Sequence, residues 1–170
     1  KTMIEIEKAK ERFLEETRQY DLTNAAIARK QSHSLRVMAN AREIATKMKL
    51  SAEQIDLATM IGLLHDIARF EQYTKFQTYS DQESFDHGDR AVEILKENGK
   101  IREYLSDSQY DNLIFTAIQN HNKYAISEDV SGEKLLFAKI IRDADKLDIF
   151  YEACEVFWQD ETEIAQINRK

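Results

Sequence analysis

The chain has no proline and four glycines, Gly62, Gly88, Gly99 and Gly132, in 170 residues. Proline breaks helices and glycine most readily supplies the left-handed residue that stops one, so a chain nearly free of both has few places where a helix must end. That predicts an all-α fold: a single helical bundle domain of about six helices around one core, the size of core that a chain of this length supports. The domain is taken as residues 1–170.

Apolar spacing places the helices. Ile4 to Tyr20 carries Ile6, Phe13 and Leu14 among many charges and suits a solvated helix with a narrow apolar seam. From Asn24 to Leu50, Ala26, His33, Val37, Ala41, Ile44 and Met48 form one stripe, so His33 faces inward. Ser51-Ala52-Glu53-Gln54 has the form of a capping box, and the helix it opens runs through Leu57, Ile61 and Leu64 to His65-Asp66. Arg69 to Asp86 lacks a sustained stripe, contains the turn-prone Ser80-Asp81, and reads as a long connecting loop. Asp86 then caps a helix with His87, Ala91 and Ile94 on one face, stopped by Asn98-Gly99. Ser108 caps the next, aligning Ile114, Ala117, Ile118 and His121. Ser131 precedes a last helix from about Gly132 into Trp158.

Composition narrows the partners. No apolar run approaches the roughly 18 residues of a spanning helix, so no membrane is expected. A net charge of −7 provides no basic footprint for a nucleic-acid polymer, so a phosphate-bearing partner must be a small molecule met by local cations. The lone Cys154 cannot form an internal disulfide. Its apolar neighbourhood, Ala153 to Phe157, reads as a buried thiol and suits a reducing, cytoplasmic compartment.

The chain has four histidines, His33, His65, His87 and His121, each on or beside the apolar stripe of a different helix. One histidine on an apolar face is most often a hydrogen-bonded core residue. Four on four helices can instead converge, and bundles build metal sites from such inward-pointing side chains. Adjacent helical residues diverge by about 100°, so His65 and Asp66 reach one ion only if both flank a cleft, where Asp66 can also bridge two ions.

His33, the His65-Asp66 doublet and the run Ala144-Asp145-Lys146-Leu147 with Asp148 resemble the H…HD…D signature of the HD superfamily, over about residues 24–150. Leu63 to Phe70, followed by Phe85-Asp86-His87, is similar to bacterial HD-domain phosphohydrolases. The resemblance implies that His33, His65, Asp66 and Asp145 hold a primary divalent metal ion, and that His87 and His121 hold a second where two are bound. Manganese, magnesium, iron, cobalt, nickel and zinc are the candidates. Periodicity disagrees at one position, because Asp143 lies nearer than Asp145 to the stripe of Leu136, Ile140, Leu147 and Phe150. The family register favours Asp145, leaving Asp143 to pair with Arg142 or Lys139 and Asp148 to hold a ligand in place.

The chemistry so implied is phosphoester hydrolysis by metal-activated water, on a nucleotide or related small phosphate compound. Asp66 would bridge the ions, and Arg69 and Lys146 would meet the substrate phosphate. With one ion, His87 and His121 would serve as acid, base or phosphate donors. Phe70, Tyr73, Phe76 and Tyr79 either stack on a nucleobase or pack back onto the bundle, the plainer expectation. The same ligands also suit an HD-type di-iron oxygenase, and the fold alone suits a nucleotide- or metal-binding sensor without turnover. Substrate and oligomeric state stay open.

Overall fold

A computed structural model describes residues 4–167 of the chain, with side chains to residue 155. Among the described residues all regular secondary structure is helical, with no strand. The α-helices are α1 (Ile6–Thr17), α2 (Ala25–Lys47), α3 (Ala52–Leu64), α4 (Ala68–Phe76), α5 (His87–Lys96), α6 (Asp111–Asn120) and α7 (Gly132–Ile167). Short 3-10 segments lie at Asp81–Glu83 and Glu97–Glu103. No described helix is long and apolar enough to cross a membrane.

Local chemistry sets most of the boundaries. Asn24 caps α2 by accepting from the backbone N–H groups of Ala26 and Ile27. The capping box at α3 forms as expected: Ser51 Oγ accepts from Gln54 N at 3.2 Å and Gln54 Oε1 accepts from Ser51 N at 3.0 Å. Asp86 caps α5 through the N–H of Asp89, so His87 is its first residue. Asn98 and Gly99, both at positive φ, end the helical run that follows.

Several expectations are corrected. The segment Arg69 to Asp86 contains α4, which the apolar pattern hides because Gln72, a polar residue, is fully buried in it. Its amide is satisfied by Arg69, Asp81 and Ser84, partners that only the tertiary fold supplies. Ser108 does not cap α6 through its side chain. The helix opens at Asp111, whose N–H bonds the Ser108 carbonyl, with Tyr110 in the cap position. On α7, Leu147 and Phe150 are 54% and 70% exposed, while Phe137, Ile141, Ala144 and Asp148 are buried. The buried face of α7 is therefore rotated from the stripe read in the sequence. Met48, placed on the α2 stripe, is also exposed, and Cys154 is half-buried. The neighbouring side chains of Val156, Phe157 and Trp158 lie outside the described residues.

The core is built by α2 against α3 and α7, with α6 closing on α7. Helix α3 is apolar on all sides and is buried from Leu57 to its end, so it runs through the middle of the bundle. A Cβ on Gly62 would lie 2.9 Å from Met38 Cα and 3.0 Å from the Val37 carbonyl oxygen. Glycine thus lets α3 approach the α2 backbone one turn before His65 and one turn after His33. Phe70 of α4 packs edge-on against Phe13 of α1, with ring centroids 6.0 Å apart. Phe70 and Tyr73 therefore pack onto the bundle, the plainer expectation, whereas Phe76 is exposed. Tyr73 pairs with Tyr79 and Phe76 with Phe85.

Candidate metal centre

His65 and Asp66 sit where α3 gives way to α4, with His65 at the α3 C-cap. The junction, rather than a continuous helix, lets two adjacent residues face one point, and their donor atoms lie 3.6 Å apart. His33 arrives from α2, Asp145 from α7, His87 from the first turn of α5 and His121 from just past α6. All four histidines and Asp66 are buried.

Two groups share Asp66. Around its Oδ2 lie His33 Nε2 at 3.4 Å and His65 Nε2 at 3.6 Å, and Asp145 Oδ1 stands 3.0 Å and 3.3 Å from the same two nitrogens. Around its Oδ1 lie His87 Nε2 at 3.5 Å and His121 Nε2 at 3.4 Å. Within each pair the imidazole nitrogens nearly touch, at 3.3 Å for His33 with His65 and 3.1 Å for His87 with His121.

The far nitrogen of each ring explains why this arrangement calls for a cation. His65 Nδ1 donates to the Gly62 carbonyl at 2.7 Å, and His121 Nδ1 donates to the Ile118 carbonyl at 2.6 Å. His33 Nδ1 donates to Asp148 at 2.6 Å and His87 Nδ1 to Asp81 at 2.7 Å. Each Nδ1 therefore carries a proton, and wherever Nε2 is unprotonated the ring turns a lone pair toward another lone pair and toward Asp66 or Asp145. Acceptors from six residues facing one another in a buried space repel unless a cation lies among them. The donor chemistry and the sets of three ligand atoms, all within 4.8 Å of one another, fit one or two divalent ions.

The electrostatics show the same demand. Burial pushes the His33 imidazole down, but hydrogen bonds to Asp145 and Asp66 outweigh it and hold the group up at about 10. The two carboxylates thus recruit a positive charge at His33 Nε2, as a proton if not as a metal. Burial raises Asp66, yet the surrounding imidazoles and Lys30 leave it well below the usual carboxylate range. Asp145 is likewise lowered, with burial overcome by His33 and His65. His87 is lowered, chiefly by burial.

Every metal-ligand candidate named from the sequence comes together here, whereas Asp143 is exposed on α7, away from the buried face. Arg142 does not pair with Asp143. It donates instead to the backbone carbonyls of Asn120, Lys123 and Tyr124. Arg69 reaches the site edge, with Nε 3.8 Å from Asp66 Oδ1. Lys146 is exposed and pairs with no described group. Two residues that the sequence did not single out do reach the centre. Lys30, one turn before His33, brings Nζ to 3.7 Å from Asp66 Oδ2. Asp81, read only as part of a turn, bonds both His87 and Arg69. Its carboxyl lies well below its ordinary value, because His87 and Gln72 donate to it and outweigh its burial.

The HD domain family model matches residues 31–149, which include His33, the doublet, His87, His121 and Asp145. The chain belongs to the HD domain family. No curated protein matches it. Among solved structures, this HD domain is similar to a predicted HD superfamily hydrolase from an uncultured Thermotogales bacterium, at 25% identity and a TM-score of 0.58. The alignment covers 89% of this chain and 76% of that one.

Proposed function

We propose that this HD domain is a metal-dependent phosphohydrolase that uses metal-activated water to cleave a phosphoester, in a nucleotide or related small phosphate compound. The observation that carries the reading is the division of Asp66, one oxygen toward His33 and His65 and the other toward His87 and His121. A carboxylate so placed suits a bridge between two ions. When bound, such ions supply Lewis acidity toward a phosphoryl oxygen and a water of lowered pKa.

The protein's own part is to fix the ligands and to hold the substrate. The Nδ1 partners set the orientation of all four rings before any ion arrives. Four imidazoles with two carboxylates favour iron, cobalt, nickel or zinc, and also admit manganese, over magnesium. Arg69, at the rim beside Asp66, is placed to meet phosphoryl charge, whereas the exposure of Lys146 gives it no such position. A predicted HD superfamily hydrolase among the similar structures supports the same reading. The acidic net charge supports a small-molecule partner over a nucleic-acid polymer, and the lone Cys154 suits a cytoplasmic location.

Asp66→Ala tests the proposal. Metal content by elemental analysis and turnover of a panel of phosphoesters should both be lost. Full metal content with full activity would sink it. Burial of all the histidines also suits a di-iron oxygenase. Oxygen uptake that requires ferrous iron, with no phosphate released, would establish that second reading instead.

A further inference from the structure

Beside the ligand cluster, Lys30 and Arg69 approach Asp66 from different helices. Lys30 Nζ stands 3.7 Å from Oδ2 and Arg69 Nε 3.8 Å from Oδ1. Both cations also lie against the ring of Tyr79, with Lys30 Nζ 4.9 Å and Arg69 Cζ 5.5 Å from its centroid. The ring is fixed, because Tyr79 donates its hydroxyl proton to the Ala26 carbonyl at 2.7 Å and packs on Tyr73 at 4.8 Å. The two side chains are only 17% and 14% exposed, so they are positioned, partly desolvated charges and not mobile surface groups.

Their donors are under-used. Arg69 spends one nitrogen on Gln72, the Tyr79 carbonyl and Asp81, but its buried Nε has no hydrogen-bond partner. Lys30 makes no hydrogen bond among the described residues, and its nearest carboxylate is beyond hydrogen-bond reach. Asp66 is in turn surrounded by four imidazoles and cannot satisfy both cations. Asp66, Asp145 and Asp81 together outweigh Lys30 and Arg69 by a single negative charge, so one divalent ion already leaves the pocket positive toward its ligand.

We infer that Lys30 and Arg69, held on the Tyr79 ring, form the subsite for the non-bridging oxygens of the substrate and select a phosphomonoester over a diester. A monoester carries a charge of about −1.5 to −2 near neutrality. Two preset cations beside a metal centre match that dianion, whereas the single charge of a diester leaves part of the pocket's positive charge uncompensated. Engaged by both cations, Tyr79 is committed as a platform and is not available to stack on a base. The inference rests on the phosphohydrolase reading for its substrate, but the anion subsite is tested separately.

Inorganic phosphate titrated into the metal-loaded protein by calorimetry is the direct probe. Lys30→Met keeps the length of the side chain and removes the charge, and it should weaken phosphate binding about tenfold or more, the scale of one charged hydrogen bond. Lys30→Arg should recover most of that loss, and Lys47→Met, an exposed lysine further along α2, should change nothing. Metal content should stay intact in all three. With p-nitrophenyl phosphate, Lys30→Met should raise KM by a similar factor, with a smaller effect on bis(p-nitrophenyl) phosphate. Phosphate binding that weakens as stated without turnover of any ester upholds the subsite and sinks the hydrolase. Turnover with phosphate affinity unchanged in Lys30→Met overturns the subsite and leaves the hydrolase standing. Loss of metal from Lys30→Met also overturns it, because the lysine would then be supporting Asp66 and not the substrate.

Discussion

The Nδ1 of His33 donates to Oδ2 of Asp148 across 2.6 Å, tying α2 to α7 where both side chains are 2% exposed. Arg36 holds the other oxygen of the same carboxylate through Nε at 2.5 Å. Asp148 therefore sets both the tautomer and the angle of His33, whose Nε2 faces the ligand cluster. Asp148→Asn preserves the shape but can no longer accept from both partners as an anion. It should lower affinity for the first ion by about ten- to a hundredfold, measured by competition with a chelator, while the far-ultraviolet circular dichroism remains that of the wild type.

Asp81 plays the corresponding part on the other side, accepting from His87 Nδ1, Arg69 and Gln72. Asp81→Asn should weaken the ion on the His87 and His121 side and leave the His33 side intact. Elemental analysis across a metal titration checks this: the expected result is one tightly held ion per chain and a second whose affinity falls by about ten- to a hundredfold.

Gly62 is the point at which α3 touches the α2 backbone. In Gly62→Ala, the gain in helix propensity of about 1 kcal/mol is opposed by a methyl group 2.9 Å from a backbone carbon that cannot turn away. The helices must separate. Overpacking of this kind costs about 1–3 kcal/mol, so urea unfolding should show a net loss of stability, and metal affinity should fall because His33 and His65 lie on the two displaced helices.

Glu71 joins α4 to α5, accepting from Arg90 Nε at 2.9 Å and from Lys75. Burial pushes its carboxyl up, but the bonds from Arg90 and Lys75 outweigh that and lower it below its ordinary value. A carboxylate lowered in the folded state adds stability above its unfolded pKa of about 4.3 and loses it as pH falls through the lower folded value. Glu71→Gln should therefore destabilise the protein at pH 7, and the gap from wild type should close under acid. Denaturant midpoints measured from pH 7 down to pH 3 test the sign.

How far the sequence could be read varies from residue to residue. The capping box at Ser51, the Asp86 cap and the Asn98-Gly99 stop depend on neighbours in the chain, and each forms where it was expected. Helix α4 was hidden because its buried Gln72 is polar, and its partners lie 9 to 12 residues away beyond a turn. Lys30 carried a local signal, its place one turn before His33, but no rule of spacing says that a lysine there will reach an aspartate on another helix. Lys146 carried an equally good local signal, as the neighbour of Asp145, yet it is exposed.

The near-absence of helix breakers and the stripe positions of four histidines were enough by themselves to determine a helical bundle with inward-facing imidazoles, because both are properties of single helices. The tertiary structure alone decided how those helices turn against one another. It rotated α7 so that Leu147 and Phe150 face out while Asp145 and Asp148 reach His33, and it gave each Nδ1 its acceptor. It also divided the two oxygens of Asp66 between two histidine pairs. Periodicity fixes the face on which a residue stands, but the distance between donor atoms on different helices depends on crossing angles, close approaches such as Gly62, and buried polar partners, all of which exist only once the bundle has closed.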